Sequence, residues 1–273
     1  MFKNYLKAAR LRTLPLSVSG IIVGSFLGIW YKDNPFFYHS LENLSTKNET
    51  FFIVKHIHIE YSLTIFILAI LTTIGLQVLS NFANDYGDGI KGTDQNRTGE
   101  ARMVSSGAIT PAQMRNAMII TTIITIIVAL LLIYFSFGKE NFTYSILFFG
   151  LGIASIAAAI KYTVGNSAYG YSGFGDVFVF IFFGVLGVVG AAFLFTLQVH
   201  ALYFLPALVI GCLSVAVLNL NNMRDHKNDQ NFAKNTLVVR YGYAWAKKDQ
   251  LCLVLLAITA SALLSFFTYQ SWI

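Results

Sequence analysis

Seven stretches of this chain are apolar almost without interruption, at roughly 14–31, 63–83, 117–137, 142–161, 176–197, 201–220 and 250–270. Each approaches the ~20 residues that an α-helix needs to cross ~30 Å of hydrocarbon. The pattern therefore predicts an all-α, multi-pass transmembrane helical bundle with seven readable spans. A shorter segment comes first. Phe2, Tyr5, Leu6 and Ala9 share one helical face with Lys3, Lys7 and Arg10 elsewhere, which predicts a helix lying in the membrane interface. Pro15 at the first turn of the first span, and Thr110-Pro111 before the third, are helix-start signals: a capping hydroxyl and an imide that loses no hydrogen bond there.

Two of these apolar runs end in polar clusters of one kind. The second closes in Asn81-Phe-Ala-Asn84-Asp85-Tyr-Gly-Asp88-Gly-Ile-Lys91-Gly-Thr-Asp94. A helix continuing through it would put Asn81, Asp85 and Asp88 at i, i+4 and i+7, on one face. The sixth closes in Asn221-Asn222-Met-Arg224-Asp225-His-Lys-Asn-Asp229, with Asp225 and Asp229 at i and i+4. Four crossings separate the two clusters, an even number, so both are expected on the same side of the membrane.

Charge supplies the orientation. Of the 19 Lys and Arg residues, Lys32, Lys47, Lys55 and Lys139 fall on one side and the other 15 on the opposite side. By the excess of basic residues in cytoplasmic loops, the N-terminus and both acidic clusters are expected to face the cytoplasm, with the chain in the inner (cytoplasmic) membrane. Hydrophobic residues make up 56% of the chain and charged ones 12%, about half the charged share of a soluble domain, and mean hydropathy is +0.62. The net charge of +6 is accordingly read as a membrane-surface feature and not as nucleic-acid binding. Cys212 and Cys252 lie in apolar spans, and no disulfide is expected. The loop from Tyr31 to Glu60 carries His39, His56 and His58, but no other ligand type is near them in sequence, so it is assigned no chemistry.

Clustered carboxylates raise one another's pKa unless a cation lies between them. Oxygen donors without Cys or His favour a hard ion, and Mg²⁺ typically takes one or two carboxylates plus substrate phosphates. Two facing clusters suit a diphosphate held through such ions, with Lys91, Arg97, Arg102, Arg224 and Lys234 supplying further positive charge. An apolar interior would accommodate a long isoprenoid chain. The competing reading is a transporter with a paired acidic ion site, although such sites usually sit near the bilayer midplane. The Gly- and Tyr-rich stretch from Lys161 to Asp176 suits either an interfacial aromatic belt or a lid over a cytoplasm-facing pocket.

The two acidic segments, the latter followed by Lys234-Asn-Thr236-Leu-Val-Val-Arg240-Tyr-Gly242, resemble the two aspartate-rich motifs of the intramembrane aromatic prenyltransferases of UbiA type. Ala9-Arg10-Leu-Arg12-Thr13-Leu14-Pro15 and Tyr162-Thr-Val-Gly165 to Gly170-Tyr171-Ser-Gly-Phe-Gly175-Asp176 are similar to the subgroup acting on 1,4-dihydroxy-2-naphthoate. The resemblance implies nine transmembrane helices, Mg²⁺ dependence and a polyprenyl diphosphate donor. The reaction it implies is prenylation of 1,4-dihydroxy-2-naphthoate with loss of CO₂ and diphosphate, giving demethylmenaquinone, or else the same transfer to another aromatic acceptor. Carried over by motif, Asp85, Asp88, Asp225 and Asp229 are the catalytic carboxylates, and these with Asn81 and Asn84 are the metal ligands. Lys91, Arg97, Arg102, Lys161, Tyr162, Asn222, Arg224 and Lys234 are the substrate-contact candidates, with Lys234 as the diphosphate lysine. The chain departs from the family in three places. Ala233 stands where glycine usually precedes the lysine, Asn166-Ser-Ala168 stands where proline is common, and seven spans stand against nine. Residues 1–273 are thus expected to form a single transmembrane prenyltransferase domain lacking the last two helices.

Overall fold

A computed structural model describes residues 1–33, 61–93, 102–165 and 168–270. Among these the chain is helical, without strands, and seven helices are long and apolar enough to cross a membrane. The His39, His56 and His58 loop, Asp94, Arg97, Asn166 and Ser167 lie outside the described residues.

The short helix α1 (Phe2–Ala9) precedes the first span, α2 (Leu14–Asp33). Ala8 and Ala9 are buried, Phe2 and Leu6 are exposed, and Tyr5 meets the Phe82 ring edge-on at 6.4 Å. The second span, α3 (Ser62–Lys91), does not stop where its apolar run stops. Asn, Asp and Gly are poor helix formers, yet the helix continues because tertiary bonds hold its polar end. The Asn81 amide donates to Ala9 O at 2.8 Å, and the Thr163 hydroxyl donates to Ala83 O at 2.9 Å.

Helix α4 (Pro111–Phe137) opens on a full capping box. Gln113 N–H donates to the Thr110 hydroxyl at 3.3 Å, and Thr110 N–H donates to the Gln113 side-chain oxygen at 3.0 Å. Helix α5 (Phe142–Lys161) returns antiparallel to α4 and packs beside both α3 and α4. The next span, α6 (Gly175–Thr196), is π-helical from Phe180 to Gly190, a feature no spacing rule signalled. Helix α7 (Phe204–Asn231) carries the second acidic cluster within its last turns, the single turn α8 (Leu237–Tyr241) follows, and α9 (Tyr243–Gln270) packs back on α7.

Between apolar helices in lipid there is little hydrophobic gain, so close backbone approach through small residues drives association. Gly20, Gly24 and Gly28 on α2 form such a stripe against α6. A Cβ on Gly20 would lie 2.6 Å from Phe183 O, one on Gly28 would lie 2.8 Å from Ala192 O, and one on Gly24 would overlap Val188 O. Two apolar cores flank the space left between helices. One joins α1, α3 and α4 at the motif end (Leu79, Phe82, Ala83, Ile109, Met114), and the other closes the far end (Ile21, Ile65, Leu132, Phe137, Leu194, Phe195).

Gly24→Leu drives a side chain into the α6 backbone, and overpacking of this kind costs about 1–3 kcal/mol. The expected outcome is a lower midpoint of thermal unfolding in detergent, followed by tryptophan fluorescence.

Candidate active site

A cavity of about 1010 Å³ lies between α2, α3, α4, α5, α6 and α7, and its walls change character along their length. Lining residues on α3 run from Asp88 to Ala69, which at about 1.5 Å per residue is roughly 28 Å of helix. The motif end is polar, with Asn81, Asn84, Asp88 and Arg102 from one side and Asn222, Arg224, Asp225, Asn228, Asp229 and Lys234 from the other. Below it the wall is mainly apolar, from Leu16, Leu76, Phe178, Phe182, Leu186 and Val217 down to Leu132, Phe148 and Leu194, with the hydroxyls of Thr72, Thr73, Ser155 and Ser214 between them. Both acidic clusters thus open into one chamber.

On the first motif the helical face divides. Asn81, Asn84 and Asp88 line the chamber, whereas Asp85 does not. Three residues of helix turn a side chain by about 60°, and this is enough to take Asp85 off the chamber wall. Asp85 is 1% exposed, and its two oxygens accept Met103 N–H at 3.0 Å and Val104 N–H at 2.9 Å. Asp88 faces inward with partners on both oxygens. The Tyr171 hydroxyl donates to Oδ1 at 2.7 Å, and the Arg102 guanidinium reaches Oδ2 at 3.4 Å. Asn81 is tied into the wall, donating to Ala9 O and to the Thr13 hydroxyl at 3.0 Å while accepting from Gln77 at 3.4 Å. The Asn84 carbonyl accepts from the Thr163 hydroxyl at 3.2 Å.

The second motif is built by the way α7 ends. Ala233 N–H donates to Gln230 O at 3.4 Å and Lys234 N–H donates to Asp229 O at 2.9 Å, the paired bonds of a Schellman cap, which needs a left-handed residue between helix and exit. Ala233 occupies that position with φ 52°. Ala233 thus adopts the left-handed conformation that glycine ordinarily takes at such a cap. The turn brings Lys234 Nζ to 3.7 Å from Asp229 Oδ1. Asp225 is gripped by its neighbour Arg224 through two bonds of 2.8 Å.

The Gly- and Tyr-rich segment after α5 joins the two halves. Tyr171 donates to Asp88, and its ring carries Lys91 Nζ at 3.9 Å and Lys234 Nζ at 5.5 Å from its centroid. Asn235 N–H donates to Tyr171 O at 3.0 Å, and Arg240 donates to Ser172 O at 2.8 Å. Asn228 donates to Thr93 O at 2.9 Å, a direct link between the ends of α3 and α7. Tyr162 and Tyr169 line the chamber below, with rings edge to face at 5.3 Å. Burial, followed for Tyr162 by the charge of Asp176, pushes both hydroxyls well above the ordinary tyrosine pKa, so both remain neutral donors.

Two candidates sit elsewhere. Lys91 points away from the chamber and donates to Thr163 O at 2.9 Å, and Lys161 is exposed and off the lining. Several lining residues carried no prior assignment: Arg10, Arg12, Thr13, Gln77, Asn221 and Asn228, together with Tyr171 bound to Asp88. The available signal was the basic stretch Arg10 to Arg12 directly before a span, on the same side as both clusters.

Among the described residues no three carboxylate, imidazole or thiol groups form a ready-made cluster. The donor set is nonetheless that of a hard cation, with carboxylate and amide oxygens divided between two walls. This fits an ion that takes one or two carboxylates from the protein and completes its shell with water and phosphate.

Comparison with known proteins agrees with this architecture. The model of the UbiA prenyltransferase family matches residues 55–273, and the chain belongs to that family of membrane prenyltransferases. Among individual relatives it is similar to 1,4-dihydroxy-2-naphthoate octaprenyltransferase of Haemophilus influenzae, 40% identical over 99% of this chain and 79% of the relative. The protein of the same name from Escherichia coli is 37% identical over 98% of this chain and 78% of the relative. That of Mycobacterium leprae is 31% identical over 99% and 80%. No solved structure matches the chain.

A left-handed alanine costs roughly 1–2 kcal/mol relative to glycine, partly offset by glycine's freer unfolded chain. Ala233→Gly is expected to raise stability by about 1 kcal/mol, read as a higher thermal midpoint in detergent.

Proposed function

We propose that this chain transfers a polyprenyl group from polyprenyl diphosphate to 1,4-dihydroxy-2-naphthoate, with release of CO₂ and diphosphate, giving the prenylated 1,4-diol, the reduced (quinol) form of demethylmenaquinone. The observation that carries the reading is the single chamber, acid-lined at one end and largely apolar over the rest of its length, into which both aspartate-rich motifs open. The names of the relatives indicate the acceptor and an octaprenyl donor.

The polar end takes the diphosphate. Asp88 and Asn84 on one wall and Asp225 and Asp229 on the other would hold Mg²⁺, which when bound neutralises phosphate charge and makes diphosphate a better leaving group. Arg102, Arg224 and Lys234 supply charge-assisted hydrogen bonds to the remaining phosphate oxygens. For this they exchange the carboxylates they now hold for the ligand.

The chain's apolar wall does the rest. Leu76, Leu186 and Val217 keep water from the allylic carbon, and the ring faces of Phe178, Phe182 and Tyr162 stabilise positive charge as the C–O bond to diphosphate breaks. A C–C bond then forms at the ring carbon bearing the carboxylate, the bond from that carbon to the carboxylate breaks, and its electron pair stays behind to restore the aromatic ring as CO₂ leaves. The bias of Lys and Arg towards one set of loops supports a chamber opening to the cytoplasm from the inner membrane.

Removing a group that stabilises developing charge typically costs about 10²–10³ in rate. Asp88→Asn and Asp229→Asn are each expected to lower CO₂ release from dihydroxynaphthoate with polyprenyl diphosphate and Mg²⁺ by at least that factor, while extraction and thermal midpoint stay unchanged. Full transfer by both variants would overturn the reading.

A further inference from the structure

We propose that Asp85 is a positioning residue. Its carboxylate anchors the turn at 102–109 so that Arg102 faces the diphosphate end of the chamber, and it does not hold metal. Both oxygens are occupied by backbone N–H groups, those of Met103 at 3.0 Å and Val104 at 2.9 Å, and the group is 1% exposed and off the chamber wall. A buried carboxylate is tolerated when backbone donors replace its water, and those donors in turn depend on it.

Met103 N–H and Val104 N–H are the backbone groups of the turn that bond to an α3 side chain. Its internal bonds run from Ser106 N–H to Arg102 O, Gly107 N–H to Val104 O and Ile109 N–H to Met103 O. They shape the turn but do not attach it to α3. Attachment comes from Asp85, from the Arg102–Asp88 pair, from Met103 and Ile109 buried in one core with Leu79, Phe82 and Ala83, from Asn4 donating to Ala108 O at 3.2 Å, and from the packing of Val104 over Gly89, where an added Cβ would lie 2.6 Å from Val104 Cγ1. The residue preceding the two anchored amides is Arg102, 8% exposed, lining the chamber and 3.4 Å from Asp88 Oδ2. Asp85 thus acts on the chamber through a neighbour. The acids of the first motif divide their work, Asp88 facing the ligand and Asp85 holding the cation that answers it. The catalytic consequence rests on the proposed diphosphate site, whereas the anchoring does not.

The test uses the full-length protein in detergent and four variants: Asp85→Asn, Asp88→Asn, Arg102→Ala and the Asp85→Asn/Arg102→Ala pair. In metal-free protein, hydrogen–deuterium exchange of peptides covering 102–109 is expected to accelerate at least tenfold in Asp85→Asn and to stay unchanged in Arg102→Ala. In the transfer assay, Asp85→Asn is expected to raise the donor KM about tenfold at unaltered Mg²⁺ half-saturation, and the double variant is expected to be no worse than Arg102→Ala. Gly89→Ala leaves the carboxylate intact but displaces Val104, and it is expected to reproduce both effects should Asp85→Asn fail to fold. Unchanged exchange, or a shift of Mg²⁺ half-saturation in Asp85→Asn matching that of Asp88→Asn, would overturn the proposal. Should Asp88→Asn retain full transfer, the site reading fails while the exchange result still decides the anchor.

Discussion

Negative charge sits at the wrong end of two helices. The last turns of α3 and α7 carry the negative pole of the helix dipole, and Asp88, Asp225 and Asp229 lie in those same turns. Each acid is tolerated there because a cation or hydroxyl from outside its own turn, or an adjacent guanidinium, answers it. Asp88 has Arg102 and Tyr171, Asp225 has Arg224, and Asp229 has Lys234. Much of the surrounding backbone can be understood as the means of delivering those partners.

Delivery is by three connections that would otherwise be ordinary loops. The turn after α3 carries Arg102, the tyrosine-rich segment after α5 carries Tyr171, and the left-handed exit from α7 carries Lys234. The last two meet, because Tyr171 lies beneath Lys234 and binds Asn235 through its carbonyl. Tyr171 thus joins the two motifs structurally, bonded to Asp88 of the first and lying beneath the Lys234 that pairs with Asp229 of the second.

The rest of the bundle keeps the chamber open beneath them. Close packing of α2 on α6 through the glycine stripe gathers the backbone on one side, and the π-helical stretch of α6 turns Phe182, Phe183 and Leu186 towards the space that remains. Widening of a helix at this kind of position is characteristic of functional sites. At the far end the rings of Phe148 and Phe193 stack 5.6 Å apart, and Phe148 lines the space.

Several features were legible from residue order alone. Seven apolar runs of spanning length specify seven helices, because a backbone in lipid must satisfy its own hydrogen bonds, and the capping box at Thr110 marks a helix start by local chemistry. An even number of crossings put the two acidic clusters on one side. What periodicity could not resolve was which acid turns inward. Asn81, Asp85 and Asp88 fall within one broad face, and only the docking of a distant turn gives Asp85 to Met103 and Val104 and leaves Asp88 to the chamber. Arg102 and Tyr171 likewise gain their places from contacts 14 and 83 residues away in the chain. Helix and span are decided by neighbours a few residues apart, whereas the lining of a cavity is decided by which remote backbone amides and charges reach each side chain first.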